Sequence, residues 1–374
     1  MRLLAIAGEA SGDVHGSGVL RELKRLHPAI EVFGIGGDKM AAEGMQLLYH
    51  VRDVAFMGFV EVIKHLPTIR NIERTMLQAI IQRKPDAVLL IDYPGFNIRF
   101  ARKAKALGLK VFYYISPQIW AWKQGRLKKI KQSIDKMFVV FPFELSIYEK
   151  ENIPVEYVGH PLIEEMAEPI SKNELCKQVG FDTNKKIIGL FPGSRKQEVE
   201  RILPAMLRAG RMLKNEFDVN VGIACAPTIS KELLKKMSSE EQGIAIIENS
   251  TRALMKHSDV AIVTSGTATL ETALFQTPMV IVYKTSLLTY LIGKAVVKVP
   301  YIGLVNILAK NLIVPELIQS EATPQRMFDE VKKILTEKDR YDITKKQLSQ
   351  LRDTLGTSGA SRRVAESIGQ LWKQ

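Results

Sequence analysis

The side chains best suited to chemistry fall just after short apolar runs. Asp92 follows Ala87 to Ile91, and Glu9 and His15 lie within GEASGDVHG, which follows Leu3 to Ala7. A carboxylate or imidazole at the end of a buried strand stands where open α/β sheets bind ligands, and it suits general-base work. For Asp92 the plainer alternative is a turn or helix-capping aspartate. In the second half, Ile187 to Phe191 leads into Pro192-Gly193-Ser194-Arg195, with Glu198 one turn on. An arginine at a helix start offers a phosphate a fixed fork of donors; the plainer alternative is a surface pair with Glu198. Asp259 to Val263 leads into Thr264-Ser265-Gly266 and a helix over Thr267 to Phe275. The unpaired N–H groups of that helix start make an anion site, and the Ser265, Thr267 and Thr269 hydroxyls add donors. Glu271 lies beyond the capping-box position, placed to accept hydrogen bonds from sugar hydroxyls. An ordinary βαβ turn with a solvated Glu271 stays equally open. Asn306 is the one strongly polar side chain of Val299 to Asn306.

The elements that position these residues alternate strand and helix in both halves, which predicts parallel sheets. Gly8, Gly12 and Gly16 are four apart, which is not the dinucleotide G-x-G-x-x-G spacing. They predict a tight turn through Ser11, Gly12 and Asp13 that a ligand approaches closely, before a helix to about Leu26. Asp92-Tyr93-Pro94-Gly95-Phe96-Asn97 and Ser116 to Trp122, with Trp120 and Trp122, extend the same edge. Val314 to Gln319 reads as a helix start. The predicted divisions are 1–165, a polar linker at 166–185, a second domain at 186–345, and helices at 346–374 that return to the first domain.

At 374 residues the chain exceeds one hydrophobic core. It is 46% hydrophobic and 25% charged, as in soluble proteins. Two cysteines, Cys176 and Cys225, fit a reducing compartment. MRLLAIAGEASG predicts a first strand rather than a signal peptide. A net charge of +13 points to nucleic acid, an anionic membrane surface or phosphorylated substrates. Nucleic acid ranks last, for want of any helix-turn-helix, zinc-finger or RNA-binding signature. No paired-Cys or clustered-His pattern predicts a metal, and no cofactor is expected. Phe56, Met57, Phe59, Val60, Ile63 and Leu66, followed by Arg70, Arg74, Arg83 and Lys84, suit an interfacial membrane contact. Arg126, Lys128, Lys129 and Lys131 add a basic face. Packing of the apolar helix in the core, or against a partner in a homodimer, is the alternative.

The ordered set GEASGD, DYPGFN, SPQIWAW, VGHPL (Val158 to Leu162), FPGSR with Glu198, and TSGTATLE (Thr264 to Glu271) resembles lipid-A-disaccharide synthases over nearly the whole chain. One position departs: Gly95 stands where the family often has a second acid. The resemblance implies a GT-B glycosyltransferase, two Rossmann-like α/β domains with parallel sheets facing across a cleft. It implies inverting transfer from UDP-2,3-diacylglucosamine to 2,3-diacylglucosamine 1-phosphate, at the cytoplasmic face of the inner membrane. On this chain it implies Asp92 as the base, with Glu9 and His15 as runners-up. Ser11, Gly12, Asp13 and Asn97 would line the acceptor side. Ser194, Arg195, Glu198, Ser265, Gly266, Thr267, Glu271 and Asn306 would hold the UDP-sugar. Another UDP-sugar enzyme, such as a 2-epimerase, or a non-catalytic binder remains the competing reading.

Overall fold

Leu3 to Ala7 and Ala87 to Ile91 are unbroken apolar runs, the pattern of strands buried on both faces. In the computed structural model they are the two central strands of a parallel sheet. The structure describes residues 1–54, 65–119, 127–166, 169–241, 243–286, 290 and 300–372. The chain divides into two units, Met1–Glu165 with Leu355–Gln374, and Met166–Thr354.

Among the described residues, the first unit's sheet comprises β1 (Arg2–Ala7), β2 (Glu31–Gly36), β3 (Gln46–His50), β4 (Ala87–Ile91), β5 (Lys110–Tyr114), β6 (Lys136–Val139) and β7 (Val155–Tyr157). Their order is β3-β2-β1-β4-β5-β6-β7, and neighbours pair in parallel. The second unit's sheet comprises β8 (Lys186–Phe191), β9 (Val219–Ala224), β10 (Ile244–Ile247), β11 (Val260–Thr264), β12 (Met279–Tyr283) and β13 (Glu316–Ile318), ordered β10-β9-β8-β11-β12-β13, again parallel. Alternate residues of β8, β11 and β12 feed two apolar clusters. Ile188, Leu190, Ile262 and Val280 face one, and Ile187, Ala261, Val263 and Ile281 face the other. Both units are therefore doubly wound, and each reverses its strand order once, between β1 and β4 and between β8 and β11. Ligands of such sheets bind beyond the carboxyl ends of the strands at that reversal. Ala7 is level with Ile91, and Phe191 with Val263, so the candidate turns of each unit emerge side by side.

Several expectations need correcting. The glycine-rich stretch after β1 is turn only at Gly8 and Glu9, and helix Ala10–Leu26 begins at once. Gly12 and Gly16 are there for packing. A Cβ on Gly12 would lie 3.4 Å from Ala7 Cβ, and one on Gly16 2.8 Å from Ile91 Cδ1, so the helix is pressed onto the sheet. Val314 to Gln319 is not a helix start. Pro315 opens an extended segment, and β13 pairs in register with Ile281 to Tyr283 of β12. The expected linker contains helix Lys172–Val179, closed by a Ser171–Glu174 capping box. Helix Lys338–Thr354 runs through position 346, so the return to the first unit comes at Leu355. There helix Ala360–Trp372 packs on helix Ala10–Leu26.

Of the expected membrane contacts, Phe56, Met57, Phe59, Val60 and Ile63 lie outside the described residues, as do Trp120, Trp122 and Arg126. Leu66 opens helix Leu66–Arg83. Glu73, buried on that helix, accepts from Arg99 Nε (2.9 Å) and Lys103 Nζ (2.8 Å) of helix Pro94–Ala106. Lys128, Lys129 and Lys131 are exposed on helix Leu127–Ser133. Among the described residues no helix is long and apolar enough to cross a membrane.

Candidate active site

At the carboxyl edge of the first sheet the backbone is strained. Asp92 and Tyr93, directly after β4, have φ of 46° and 50°, and Ile115, after β5, has 63°. Left-handed backbone costs a side-chain-bearing residue roughly 1–2 kcal/mol. Hydrogen bonds hold it at Asp92. Asp92 N donates to Tyr114 O (2.9 Å), and Asp92 O accepts from Tyr113 Oη (2.6 Å) and Asn97 Nδ2 (2.7 Å). Asn97 is 0% exposed, and its Nδ2 also lies 3.3 Å from Ile91 O. Its amide nitrogen thus latches the turn. Burial raises the Asp92 carboxyl above the ordinary aspartate range, and the Tyr93 N–H and the nearby His15 draw it part of the way back.

Tyr93 lies across Gly8, where a Cβ would come 2.2 Å from its ring. Its hydroxyl donates to Val54 O (2.7 Å) and its ring stacks on Phe96. Burial, with Glu9 close by, pushes the phenol up to about 12. Glu9, half-buried, precedes helix Ala10–Leu26, and His15 lies buried in that helix. Asp92, Glu9 and His15 thus come to one sheet edge. Ser11 is half-buried in the first helical turn. Asp13 is committed elsewhere. Its carboxylate accepts from Gly37 N (2.7 Å), Lys39 N (3.0 Å) and Met40 N (3.0 Å), and so caps helix Asp38–Ala42.

In the second unit, Gly193 has φ of 109°, open to glycine at little cost, and a Cβ there would sit 3.0 Å from Glu198 Oε2. Helix Lys196–Glu216 follows Arg195, whose Nη1 donates to Glu198 Oε1 (2.8 Å). The plainer pair is therefore formed, on an exposed arginine. Ser194 is exposed, and its carbonyl accepts from Thr228 Oγ1 (2.5 Å). Beside it, Gly266 and Thr267 are exposed at the start of helix Thr267–Leu274, and Ser265 is half-buried. Thr269 turns inward, its Oγ1 donating to Gly266 O (2.7 Å). Glu271 accepts from Arg252 Nε (3.1 Å), which neutralises it without burying it.

Asn306 lies inside its loop. It is 0% exposed. Its Nδ2 donates to Val314 O (2.8 Å) and Glu316 Oε1 (2.8 Å), and its Oδ1 accepts from Ile313 N (2.9 Å) and Val314 N (3.1 Å). All four hydrogen-bonding positions are used, so the side chain orders a loop. Its partner Glu316 went unread in the sequence. That carboxylate also accepts from Ile302 N and Gly303 N (both 2.9 Å), close to where Ser265 Oγ approaches Ile302 O. A charge inside an apolar run was the available signal. Tyr283, at the end of β12, was also missed; burial, with Glu198 nearby, raises its phenol.

Solved structures share this architecture. UDP-GlcNAc 2-epimerase from Neisseria meningitidis, bound to UDP-GlcNAc, superposes with a TM-score of 0.68 at 15% identity, covering 99% of this chain and 100% of that one. CalG4, the calicheamicin glycosyltransferase, gives 0.65 at 14% identity, covering 99% and 98%. At such identities the likeness shows the fold alone, GT-B in type. Sequence relatives are much nearer. The lipid-A-disaccharide synthase of Trichlorobacter lovleyi is 42% identical over 375 residues, covering 100% of this chain and 98% of its own length. That of Geobacter sulfurreducens is 39% identical over 366 residues, covering 97% and 95%. The family model described as lipid-A-disaccharide synthetase matches residues 3–369, a span that takes in the strained turn at Asp92 and both candidate turns of the second unit. On that match and those identities, the chain belongs to the lipid-A-disaccharide synthase family.

Proposed function

We propose that this protein transfers 2,3-diacylglucosamine from UDP to the 6-hydroxyl of 2,3-diacylglucosamine 1-phosphate, giving the β-1,6-linked disaccharide 1-phosphate and UDP. Family membership supports the reaction. The observation that carries the assignment of roles is Asp92, held in left-handed backbone at the strand-order reversal with its carboxyl raised. A carboxylate with a raised pKa is a stronger base than a solvated one. In the proposed step the acceptor oxygen bonds to the anomeric carbon, its proton passes to Asp92, and the bond from carbon to the diphosphate oxygen breaks with inversion. The departing UDP gains negative charge. Arg195, Ser194 and the helix start at Ser265, Gly266 and Thr267 are the donors to receive it. Glu271, oriented by Arg252, would take the ribose hydroxyls. Both substrates carry acyl chains, so the reaction belongs at a bilayer surface. The cytoplasmic leaflet is the expected one, where UDP-sugars are found.

The test is release of UDP from the purified protein. Release only with donor and acceptor together supports the transferase. Release from donor alone would indicate hydrolysis, and no release in any mixture would indicate a binder. Asp92→Asn should lower kcat by about 10²–10⁴-fold. The acid limb of the wild-type rate profile should lie above that of an ordinary aspartate, because activity is lost as pH falls through the raised pKa. Near-normal turnover in Asp92→Asn, with turnover abolished by a change at Glu9 or His15, would move the base to that residue.

A further inference from the structure

His15 Nδ1 lies 2.5 Å from Glu165 Oε1, with both side chains largely buried and 150 residues apart in sequence. A carboxylate accepts and does not donate, so the shared proton sits on Nδ1, and in the neutral imidazole the Nε2 lone pair is left for another partner. Among the described residues Nε2 makes no hydrogen bond. We propose that Glu165 is a positioning residue for transfer, which fixes the His15 tautomer and ring orientation and so presents Nε2 to the reacting edge beside Asp92. The proposal deepens the reading of that edge and rests on it.

The segment that carries the carboxylate is held in place. Glu165 ends the short helix Leu162–Glu165, just before the chain passes into the second unit. Glu165 N donates to Pro161 O (3.2 Å). The neighbouring Glu164 Oε1 accepts from Ser361 N (3.0 Å). His160 N donates to Leu355 O (3.2 Å), and Leu162 N donates to His160 Nδ1 (3.2 Å). Arg363 Nε donates to Val158 O (2.8 Å). The segment that leaves the first unit and the one that returns to it are therefore stitched together within a few residues of Glu165. An acid that only balanced charge would not need to be aimed at one ring nitrogen from so rigid a support. A base or relay imidazole does need that, because misplacement by about 1 Å costs on the order of 10²-fold in rate.

The experiment is a kinetic cycle on the full-length protein, with UDP release at saturating substrates as readout and thermal melting as a check on folding. Glu165→Ala should lower kcat about 10- to 100-fold with KM little changed. Glu165→Gln should recover much of the loss, because its amide oxygen still accepts from Nδ1–H. In a His15→Gln background, Glu165→Ala should cost nothing further. Nitrogen NMR of labelled histidine should show His15 as the Nδ1–H tautomer in the wild type and a mixture in Glu165→Ala. Multiplicative losses in the double variant would overturn the proposal. So would a Glu165→Ala loss when His15→Gln alone is silent, or full activity in both single variants. Asp92→Asn, run in parallel, keeps the two ideas separable. If it is silent while the cycle behaves as expected, the base assignment fails and the role of Glu165 stands.

Discussion

Replacing Asn306 by alanine separates a loop-ordering residue from a ligand contact. The change deletes both donors and both acceptors of a side chain with 0% exposure. It leaves Ile313 N–H, Val314 N–H and Val314 C=O without the partners they have at 2.8 to 3.1 Å. A buried polar group stranded in this way costs about 1–3 kcal/mol. Three of them, partly relieved by water, amount to roughly 3–6 kcal/mol. Glu316 keeps Ile302 N–H and Gly303 N–H but loses the second of the two donors to its Oε1. For a unit spanning Met166–Thr354, that destabilisation lowers the melting temperature by roughly 10–20 °C. The measurement is calorimetric melting of the ligand-free protein, with donor KM determined below the transition. Asn306→Asp should be at least as damaging, because it sets a second carboxylate against Glu316. A ligand-free variant that melts like the wild type, yet binds the UDP-sugar tenfold more weakly, would refute the assignment and restore direct contact.

The interfacial contact expected of the apolar stretch from Phe56 to Leu66 predicts that Phe59→Ser with Ile63→Ser abolishes sedimentation with anionic liposomes, while activity on detergent-dispersed substrates persists; unchanged liposome binding would sink it. His160 predicts a pH signature. Burial, with His15 nearby, lowers its folded pKa from 6.5 to about 3, so the fold holds it neutral. The unfolded chain binds the extra proton first, so this stabilisation is complete above 6.5 and is lost as pH falls from there towards 3, at about 1.4 kcal/mol per pH unit. Chemical unfolding across that range should show a shallower acid limb for His160→Gln, and identical slopes would contradict the burial argument.

The sequence was most legible where local pattern and tertiary role agree. The apolar runs of β1, β4, β8 and β11 had to be central parallel strands, and the turns after them emerge side by side at the carboxyl edge of each sheet. The reading failed where one residue type serves two purposes. Gly12 and Gly16 looked like loop glycines because the sequence does not say whether a missing Cβ makes room for a turn or for a neighbouring strand. The types of Asp13 and Asn306 suit ligand contact, and only the folded chain reveals the backbone groups that they hold. β13 was misread because a three-residue strand has too little pattern of its own and exists through pairing with β12. Glu165 could not be found locally, since its partner is 150 residues away.

These failures share a cause that bears on the chemistry. Asn97 and Asn306 are both fully buried, and each fixes a loop beside a half-buried candidate residue, Asp92 for Asn97 and Ser265 for Asn306. At Asp92 the magnitudes can be compared. Left-handed backbone there costs roughly 1–2 kcal/mol, and the two hydrogen bonds onto its carbonyl, from Tyr113 and Asn97, contribute about 0.5–1.5 kcal/mol each. The strain is therefore about matched by its two latches, and removing either one leaves the turn free to relax towards ordinary backbone. A residue that touches no substrate can in this way decide where the base points. A motif that mixes buried amides with half-buried acids is accordingly a description of one object, a strained turn together with the bonds that keep it strained.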